Sequence, residues 1–550
     1  MTVRNLNLLW KDFKGIRKLN TINSDSIIGA DIAHNIRLSK EKSGQNRSIK
    51  SSGWISTYKT LTENVIRLFS ANISGYTYPD QLVAFTKTNS AINAYIINDT
   101  NDSQTVTQIA TFTLATDVTD VCMVQWGDRI VMAVAFGTSN LGFVCYSATA
   151  LVGWTQMGTS NFYYRIEAIT ETTTNSPITD ITRVRPYRSR LAINGQTTYN
   201  ASGAETINGV WFSEAGNALN FSMDYTQDAT ETSAFFVETG EYVTQLEEYH
   251  GLTAFCRNRS YNITGVSQSD IKVMPLTAKG VFGNATFAIN GKCAYVDSWS
   301  KNIFTLRDNI DGTIGFDEPI GDDIQDYLEN IENVTVNIIG RTVRVTKSSG
   351  QSLVFDVDIG EWIEEGLVEN ARVTTFLDKE YLCAGTDTVN IINNAWGLHY
   401  VQTPNENGYY SHYRTNLMWL DSQSSVKSHL YPFAIILEPN TGNDFYIKFT
   451  VDRGKSIEAK ITRAGYQNAA TYSVDDTVPS DGSMFVNDDN DLSGRVFFSI
   501  SDTELLITVD RPPFWRYLQI DIYTISADQQ FNISGIEAKN TVITDELLEY

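Results

Sequence analysis

The sequence predicts a mostly β protein: a degenerate β-propeller of six or seven blades, then a C-terminal β-sandwich of jelly-roll type, with an extended N-terminal arm. Short apolar runs recur between clusters of Gly, Asn and Ser, which is typical of antiparallel strands joined by turns. The chain has 27 Tyr and 26 Phe, residues that favour strands, and long helical stretches are nearly absent. At 550 residues with 42% hydrophobic residues, it is long enough for two or three domains.

The N-terminal arm is predicted over residues 1–55, where Asn, Ser, Lys and Arg are abundant and periodicity is weak. The first 50 residues carry ten Lys or Arg and four Asp or Glu, a net +6, whereas the whole chain carries −22. A basic arm on an acidic body suits docking onto an acidic partner or contact with nucleic acid. A solvated flexible tail is the alternative interpretation.

Residues 56–395 contain the recurring units that predict the propeller. The most regular unit is 178–221, where short β-prone runs alternate with glycine-containing turns, and within another unit Leu82–Phe85 is predicted to pair with Ala94–Ile97. Repeating β units of about 40–50 residues are typical of propeller blades. Because the spacing is uneven and WD and kelch signatures are absent, stacked β-sandwiches are the alternative. The predicted units begin near residues 82, 118, 178, 243, 285, 334 and 372.

A single helix is predicted within residues 311–333. Pro319 and the pair Asp322–Asp323 lie near its expected start, where proline is tolerated and carboxylates suit the helix dipole. Five apolar residues at steps of 4, 3, 1 and 3 would share one helical face. These residues are Ile320, Ile324, Tyr327, Leu328 and Ile331.

Residues 396–550 have longer strand-like runs and predict the β-sandwich. The runs 445–451 and 518–523 alternate between apolar and polar residues, which indicates one buried and one wet face. The chain ends in an acidic tail that contains Asp545, Glu546 and Glu549.

The composition excludes several classes of protein. A net charge of −22 argues against tight binding of nucleic acid, which needs clustered Lys and Arg. The N-terminus lacks a signal-peptide pattern, and no window approaches 18 apolar residues, so no membrane span is expected. The five cysteines have no CxxC spacing and are expected to be unpaired and buried, as in a reducing cytoplasm. They are Cys122, Cys145, Cys256, Cys293 and Cys383.

No catalytic, cofactor-binding or metal-binding residue is predicted, and the chain is not expected to be an enzyme. Only five histidines occur, and the closest pair, His399 and His412, lacks zinc-site spacing. Residues 489–494 match the first half of a calcium loop, but Ile500 stands where the bidentate Glu belongs, which favours a simple turn. The phrase 213–221 is superficially like the Asp-box turn of sialidase propellers, but the Asp is missing.

Tyrosines cluster at Tyr409, Tyr410 and Tyr413, with Trp419 nearby. Such rings suit either a platform for sugars or packing inside a β protein, and packing is the commoner role.

The order of arm, degenerate propeller, short acidic helix and sandwich resembles the tail hub, nozzle or DNA-stabilisation (head-tail connector) proteins of short-tailed bacteriophages. The resemblance spans most of the chain. The phrases that carry it are Gly209–Asn217 with Asn220–Phe221, Glu318–Gln325, and Arg516–Ile520 with Ile533–Ile536.

The resemblance implies a homo-oligomeric, sixfold ring in the virion tail, assembled in the host cytoplasm below the portal or an adaptor. Such a ring would retain packaged double-stranded DNA and conduct it during genome ejection, without sequence-specific contacts. An acidic lumen would repel the DNA phosphates and let the genome slide. The alternative is a carbohydrate- or receptor-binding β module on a virion or cell surface.

Overall fold

The chain is almost entirely β, and no helix of the part that the computed structural model describes is long and apolar enough to cross a membrane. The model describes residues 3–544 except 11, 17–26, 41–46, 52–53, 73–79, 89–90, 101–102, 114–117, 128, 137–141, 148–153, 157–162, 167–173, 201–203, 225–229, 277–279, 290–291, 298, 309–313, 317–318, 329–333, 340–341, 358, 378, 394–403, 406, 420–426, 430–432, 438–444, 452–454, 464–471, 475–482, 486–494, 501–503, 510–513, 516, 527–528 and 530.

The described strands follow one another along the whole chain. The N-terminal strands are β1 Val3–Trp10, β2 Asp12–Ile16, β3 Ile27–His34, β4 Ile36–Lys40 and β5 Arg47–Ser51. The next are β6 Trp54–Thr60, β7 Asn64–Asn72, β8 Asp80–Lys87, β9 Ala91–Thr100, β10 Ser103–Thr113, β11 Val118–Trp126, β12 Arg129–Phe136, β13 Gly142–Ser147, β14 Trp154–Gln156, β15 Tyr163–Ile166, β16 Thr174–Pro177, β17 Val184–Tyr187, β18 Arg190–Asn200, β19 Ala204–Phe212, β20 Met223–Asp224, β21 Phe235–Glu238, β22 Val243–Glu248, β23 Leu252–Cys256, β24 Ser260–Thr264 and β25 Lys272–Leu276.

The second half continues in the same way. Its strands are β26 Val281–Ile289, β27 Lys292–Asp297, β28 Ile303–Asp308, β29 Ile314–Phe316, β30 Thr335–Ile339, β31 Thr342–Thr346, β32 Gln351–Asp356, β33 Glu361–Gly366, β34 Arg372–Phe376, β35 Lys379–Cys383, β36 Thr388–Asn393, β37 Ser411–Thr415, β38 Met418–Trp419, β39 Lys427–His429, β40 Phe433–Leu437, β41 Phe445–Val451, β42 Lys455–Arg463, β43 Tyr472–Val474, β44 Ser483–Phe485, β45 Arg495–Ile500, β46 Glu504–Val509, β47 Phe514–Trp515, β48 Tyr517–Thr524 and β49 Asn532–Thr544.

The chain divides into two compact units. Unit 1 contains residues 1–56, 351–367 and 393–550, and unit 2 contains residues 57–350 and 368–392. The sequence predicts domain boundaries at 55/56 and 395/396. The sequence did not predict that the hairpin 351–367 would group with the two ends of the chain.

The N-terminal residues are strands of unit 1 rather than an arm that stands apart. Strand β1 pairs antiparallel with β49, and β3 pairs antiparallel with β37. The side chains of Phe13, Ile16 and Ile36 are fully buried. The extended arm predicted over residues 1–55 is therefore corrected: its scattered apolar residues alternate along short strands and fill a core.

The strands β41 and β48 pair with each other, and both alternate between apolar and polar residues in sequence. Only in β41 does the burial of the side chains alternate as well. In β41, Phe445, Ile447 and Phe449 are buried, and the residues between them are partly exposed. In β48, Asp521 and Tyr523 are buried as well as their apolar neighbours. The wet face predicted for β48 is wrong, because polar and aromatic side chains of unit 1 cover it.

Unit 2 consists mainly of antiparallel sheets in which sequential strands are neighbours. The predicted pairing of Leu82–Phe85 with Ala94–Ile97 is confirmed, with Leu82 opposite Ile97 and Phe85 opposite Ala94. A small three-stranded sheet contains β15, β16 and β20, and β30 forms a hairpin with β31. The four-stranded sets are β7–β10, β11–β14, β17–β18–β19–β21, β22–β25, β26–β29 and β34–β36 with β6.

The first strands of these sets form a closed circuit of contacts within unit 2. Each contacts the next in the order β7, β11, β17, β22, β26, β30 and β34, and β34 contacts β7 again. The last set is completed from the other end of the unit by β6, whose residues 57–60 belong to unit 2. The rings of Tyr58 and Tyr381 meet edge to face there, with centroids 4.9 Å apart.

The hydrophobic cores of unit 2 lie between neighbouring sheets. One core joins β7–β9 to β11 and β12, with Val83, Phe85, Ile96 and Met132 buried in it. Three more cores of the same kind lie between the sets of β11 and β17, of β17 and β22, and of β34 and β7. The sheets of β7, β11 and β17 thus each bury both faces against their neighbours, which a single sheet cannot do alone.

The predicted unit 178–221 contains β17, β18 and β19. Gly209 has no room for a side chain, because a Cβ there would lie 2.2 Å from the carbonyl oxygen of Val237. The turn after β19 includes Gly216 at φ +74°, a backbone conformation that glycine adopts without strain. Arg190 holds this turn by donating hydrogen bonds to the carbonyl oxygens of Ser213 and Ser233, at 2.6 and 2.7 Å.

The predicted helix is present in shortened form. A 3-10 turn covers Asp322–Ile324 and one α-helical turn, α1, covers Gln325–Leu328. The side chains of Ile324 and Leu328 are fully buried, as their shared face predicted. Residues 329–333, including Ile331, lie outside the described residues.

Three of the five cysteines are described as free thiols. Cys256 and Cys383 are buried, as expected, and Cys122 is partly buried. The side chains of Cys145 and Cys293 lie outside the described part.

Candidate functional site

A cavity of about 530 Å³ within unit 2 is the candidate functional site. Six of the first strands and the residues just before them line it. These belong to different sheets, so the cavity lies where those sheets approach one another. The lining residues are 67–70, 121–125, 183, 185, 186, 245, 247, 248, 335, 337 and 373–375.

One side of the cavity is built on a carboxylate held between two arginines. The Asp120 carboxylate accepts a hydrogen bond from Nη2 of Arg67 at 3.1 Å and another from Nη1 of Arg372 at 2.6 Å. The same arginines also donate to the carbonyl oxygens of Val121 and Ile66. Side chains of three strands, β7, β11 and β34, are therefore tied together at one point.

The two arginines of this cluster determine the protonation state of Asp120. Burial alone would raise the pKa of its carboxyl group, but Arg67 and Arg372 reverse that effect and hold the pKa below its ordinary value. Burial and the neighbouring Arg67 both lower the pKa of Arg372. The carboxylate is thus committed to its charged form and is a poor general acid or base near neutral pH.

A second set of polar contacts joins the next two strands. Arg185 donates from Nη2 to Glu247 at 2.9 Å and from Nη1 to the Cys122 sulfur at 3.3 Å. Arg183 donates from Nε to Gln245 at 2.6 Å, and Gln245 donates to Glu247 at 2.8 Å. Side chains of β11, β17 and β22 meet through these bonds.

Neutral side chains make bridges of the same kind. The Asn337 amide donates to the Val373 carbonyl oxygen at 3.0 Å, between β30 and β34. The Thr374 hydroxyl donates to the Leu68 carbonyl oxygen, also at 3.0 Å, between β34 and β7. The polar groups of the cavity therefore connect one first strand to the next over much of the circuit.

The sequence did not single out these residues. Arg183 and Arg185 are two positions apart, as are Gln245 and Glu247, so each pair lies on one face of its strand. That spacing was the available signal. It is weak because polar residues two apart usually mark a solvated face of a strand.

Of the two histidines singled out in the sequence, the structure describes only His412. Among the described residues, no group of three or more His, Cys, Asp or Glu is placed to hold a metal ion. His399 lies outside the described residues, as does the segment 489–494. His412 is fully buried in unit 1, where its Nε2 lies 2.8 Å from the carboxylate of Asp521.

The hydrogen bonds of His412 define its protonation state. The amide oxygen of Asn405 accepts from the backbone N–H groups of Asn407 and Tyr409, which turns its NH₂ group toward Nδ1 of His412 at 3.1 Å. Nδ1 must then accept a hydrogen bond while Nε2 donates to Asp521, which is the neutral imidazole. Burial lowers the pKa of His412 in the same direction.

The tyrosines of the cluster pack mainly against other residues of unit 1. Tyr413 is fully buried, and its hydroxyl donates to the Lys14 carbonyl oxygen at 3.0 Å. Tyr409 stacks on Tyr523 with centroids 4.1 Å apart, and Tyr523 stacks in turn on Tyr446. A sugar platform that includes the Tyr413 ring is therefore wrong, and the side chain of Trp419 lies outside the described part.

No protein-family model and no curated protein matches this chain. Among solved structures, BamB from Moraxella catarrhalis is similar, with 9% sequence identity and a TM-score of 0.36, covering 63% of this chain and 99% of that one. The computationally designed Ika8 protein has 9% identity and a TM-score of 0.33, covering 64% of this chain and 100% of that one. At scores this low, neither similarity bears on the function of the chain.

Proposed function

We propose that unit 2 is a seven-bladed β-propeller that serves as a rigid structural body. The closed circuit of seven first strands supports this architecture, as does the position of the cores between neighbouring sheets. In this proposal β6 completes the last blade from the N-terminal side, a closure that resists opening of the ring of blades. The sixth blade has only β30 and β31 within unit 2.

The structural role rests on one observation. The arginine side chains of the cavity are engaged in bridges between strands, as in the Arg67–Asp120–Arg372 cluster. Bridges of this kind stabilise an arrangement of strands and require no chemical turnover. A non-enzymatic role follows as part of the proposal.

In this proposal the chain is a hub, nozzle or connector subunit of a hexameric ring in a bacteriophage tail. The sequence phrases shared with that family support the assignment, and so does the net charge of −22. A channel lined by acidic subunits repels DNA phosphates, so a packaged genome is retained by mechanical closure and then slides without sticking. Portal or adaptor rings and other tail proteins are the expected partners.

The test is the rotational symmetry of the native assembly. Electron-microscope images of the particle, averaged along the long axis, are expected to show six or twelve copies of the chain around a central channel. A monomer, or a trimer without a channel, would contradict the proposal. Labelling the chain with a fused tag locates it within the particle and keeps the symmetry from being assigned to a neighbour.

The alternative of a carbohydrate- or receptor-binding module has one observation in its favour. Trp299 is 75% exposed in the turn between β27 and β28, and exposed indole rings stack on sugars. A glycan array probed with the native chain and with Trp299→Ala distinguishes this role. Binding that depends on Trp299 would favour the module over the tail ring.

A further inference from the structure

The charges in and beside the cavity are unbalanced toward the positive. Four arginines, Arg67, Arg183, Arg185 and Arg372, contribute guanidinium groups to its two polar clusters. The buried carboxylates of these clusters are those of Asp120 and Glu247, and the exposed Glu248 lies at the margin of the cavity. This positive surplus is notable in a chain whose net charge is −22.

Two of these guanidinium groups have N–H donors to spare. The hydrogen bonds of Arg67 engage Nε and Nη2, and within the described part of the chain its Nη1 makes none. Arg185 engages Nη1 and Nη2, and its Nε makes none among the described residues. Both arginines line the cavity, so an anion that enters it meets charged donors that the protein has not used.

The size and the remaining lining fit a small organic ligand. A volume of about 530 Å³ lies within the range of small-molecule sites. Met123, Pro186 and Val373 give the walls apolar patches that suit a carbon skeleton. Thr335 and Thr375 add hydroxyl groups.

We propose that this cavity binds a small di- or tricarboxylate, with Arg67 and Arg185 as the residues that contact its carboxylate groups. The unused N–H group of each arginine can donate a charge-assisted hydrogen bond to a carboxylate oxygen. Water surrounds these guanidinium groups less fully than it surrounds a surface arginine. Their electrostatic attraction for a bound anion is therefore stronger. The site is independent of the tail assignment, since it belongs to a single chain.

The test is calorimetric titration of the full chain with citrate and succinate, each at fixed ionic strength. The expected result is saturable binding with a stoichiometry of one per chain and a rise in the thermal midpoint of unfolding. Chloride and inorganic phosphate are titrated in parallel. Absence of saturable carboxylate binding, or phosphate binding as tight as that of citrate, would overturn the proposal.

Two variants keep the test falsifiable even if an arginine variant fails to fold. Thr375→Trp places a large ring in the cavity without removing an ion pair, and it is expected to weaken citrate binding at least tenfold. Gln268→Trp, in an exposed turn away from the cavity lining, is the matched control and is expected to bind as the native chain does. Equal binding by both variants would place the anion elsewhere and refute the site.

Arg185→Gln then tests the contact itself. It removes one charge while keeping amide donors, and citrate affinity is expected to fall by about tenfold, which corresponds to about 1.4 kcal/mol. Circular dichroism checks that the variant is folded. A folded variant with unchanged affinity would rule Arg185 out as the carboxylate contact.

Discussion

Two carboxylates in this protein each lie between two basic side chains, but the bases differ in kind. Asp120 in unit 2 is held by Arg67 and Arg372, whereas Asp521 in unit 1 accepts hydrogen bonds from His412 and Arg414, at 2.8 and 2.6 Å. Arginine stays protonated throughout the physiological range, and histidine does not. The first cluster therefore keeps its charge as pH changes, while the second loses its pattern of donors and acceptors in acid.

The two clusters stabilise their buried groups in different ways. At Asp120, attraction between full charges offsets the cost of burial. At His412, the neighbouring Asn405 amide is fixed so that only a neutral ring satisfies both nitrogens. Protonation would set two donors against each other at Nδ1 and add a cation beside Arg414.

The largest expected effect on stability comes from removing the charge of Asp120 from the Arg67–Asp120–Arg372 cluster. Asp120→Asn preserves shape but leaves Arg67 and Arg372 facing each other without a carboxylate between them. The free energy of unfolding of unit 2 is expected to fall by about 3–5 kcal/mol, as for other broken buried ion pairs. Urea unfolding followed by circular dichroism measures it. Asp387→Asn, at an exposed position, is the control, and an equal loss in both variants would contradict the role of the cluster.

A smaller loss is expected for Arg190, a buried arginine that donates its hydrogen bonds to backbone carbonyl oxygens. Arg190 donates to five backbone carbonyl oxygens, among them those of Val266 and Ser213. Arg190→Lys keeps the charge but loses the planar fork, and it is expected to cost about 2–3 kcal/mol. The exposed Arg188→Lys is the matched control, with a change within about 0.5 kcal/mol. A loss no greater than that of the control would show that the fork geometry is unimportant.

The smallest effect is the pH dependence of unit 1. The pKa of His412 is lowered from 6.5 in the folded state, so the unfolded chain binds the proton more readily. The stability that the neutral ring contributes is therefore complete above about pH 6.5 and is lost as pH falls through the folded pKa. The slope from this one group does not exceed about 1.4 kcal/mol per pH unit.

The measurement is the urea midpoint of unit 1 between pH 7.5 and pH 5. His412→Gln is expected to remove the acid-sensitive part of the curve, and the exposed His250→Gln is expected to retain it. The pKa of Asp521 is lowered too, because hydrogen bonds from His412 and Arg414 outweigh its burial. Its contribution is lost only at lower pH, as pH falls below about 3.8 toward the folded pKa. An unchanged pH profile in His412→Gln would assign the acid sensitivity to other groups.

The parts of the fold that were predictable from sequence are those with local, apolar patterns. Leu82–Phe85 and Ala94–Ile97 are close in the chain and strongly apolar, and their pairing follows from the pattern alone. The buried face of Ile324 and Leu328 follows from helical spacing in the same way. In each case the period of the hydrophobic residues contains the information.

The parts that were missed depend on distant partners. Strand β1 pairs with β49 at the other end of the chain, and nothing in its own sequence specifies that partner. Arg67, Asp120 and Arg372 each look like ordinary polar residues of a strand, because a charge in a β-strand has the same local pattern whether it is solvated or paired. Only the fold brings these three together.

Strand β6 is synthesised long before the sheet that it completes. Tyr58 leaves the ribosome more than 300 residues before its partner Tyr381, an interval of about 15–60 s at typical rates of synthesis. During that time β6 has no completed sheet to join, and its unpaired edge is exposed to pairing with other chains. Synthesis at high local concentration thus favours mispairing between neighbouring nascent chains, and a holding chaperone would act most usefully on the first 60 residues.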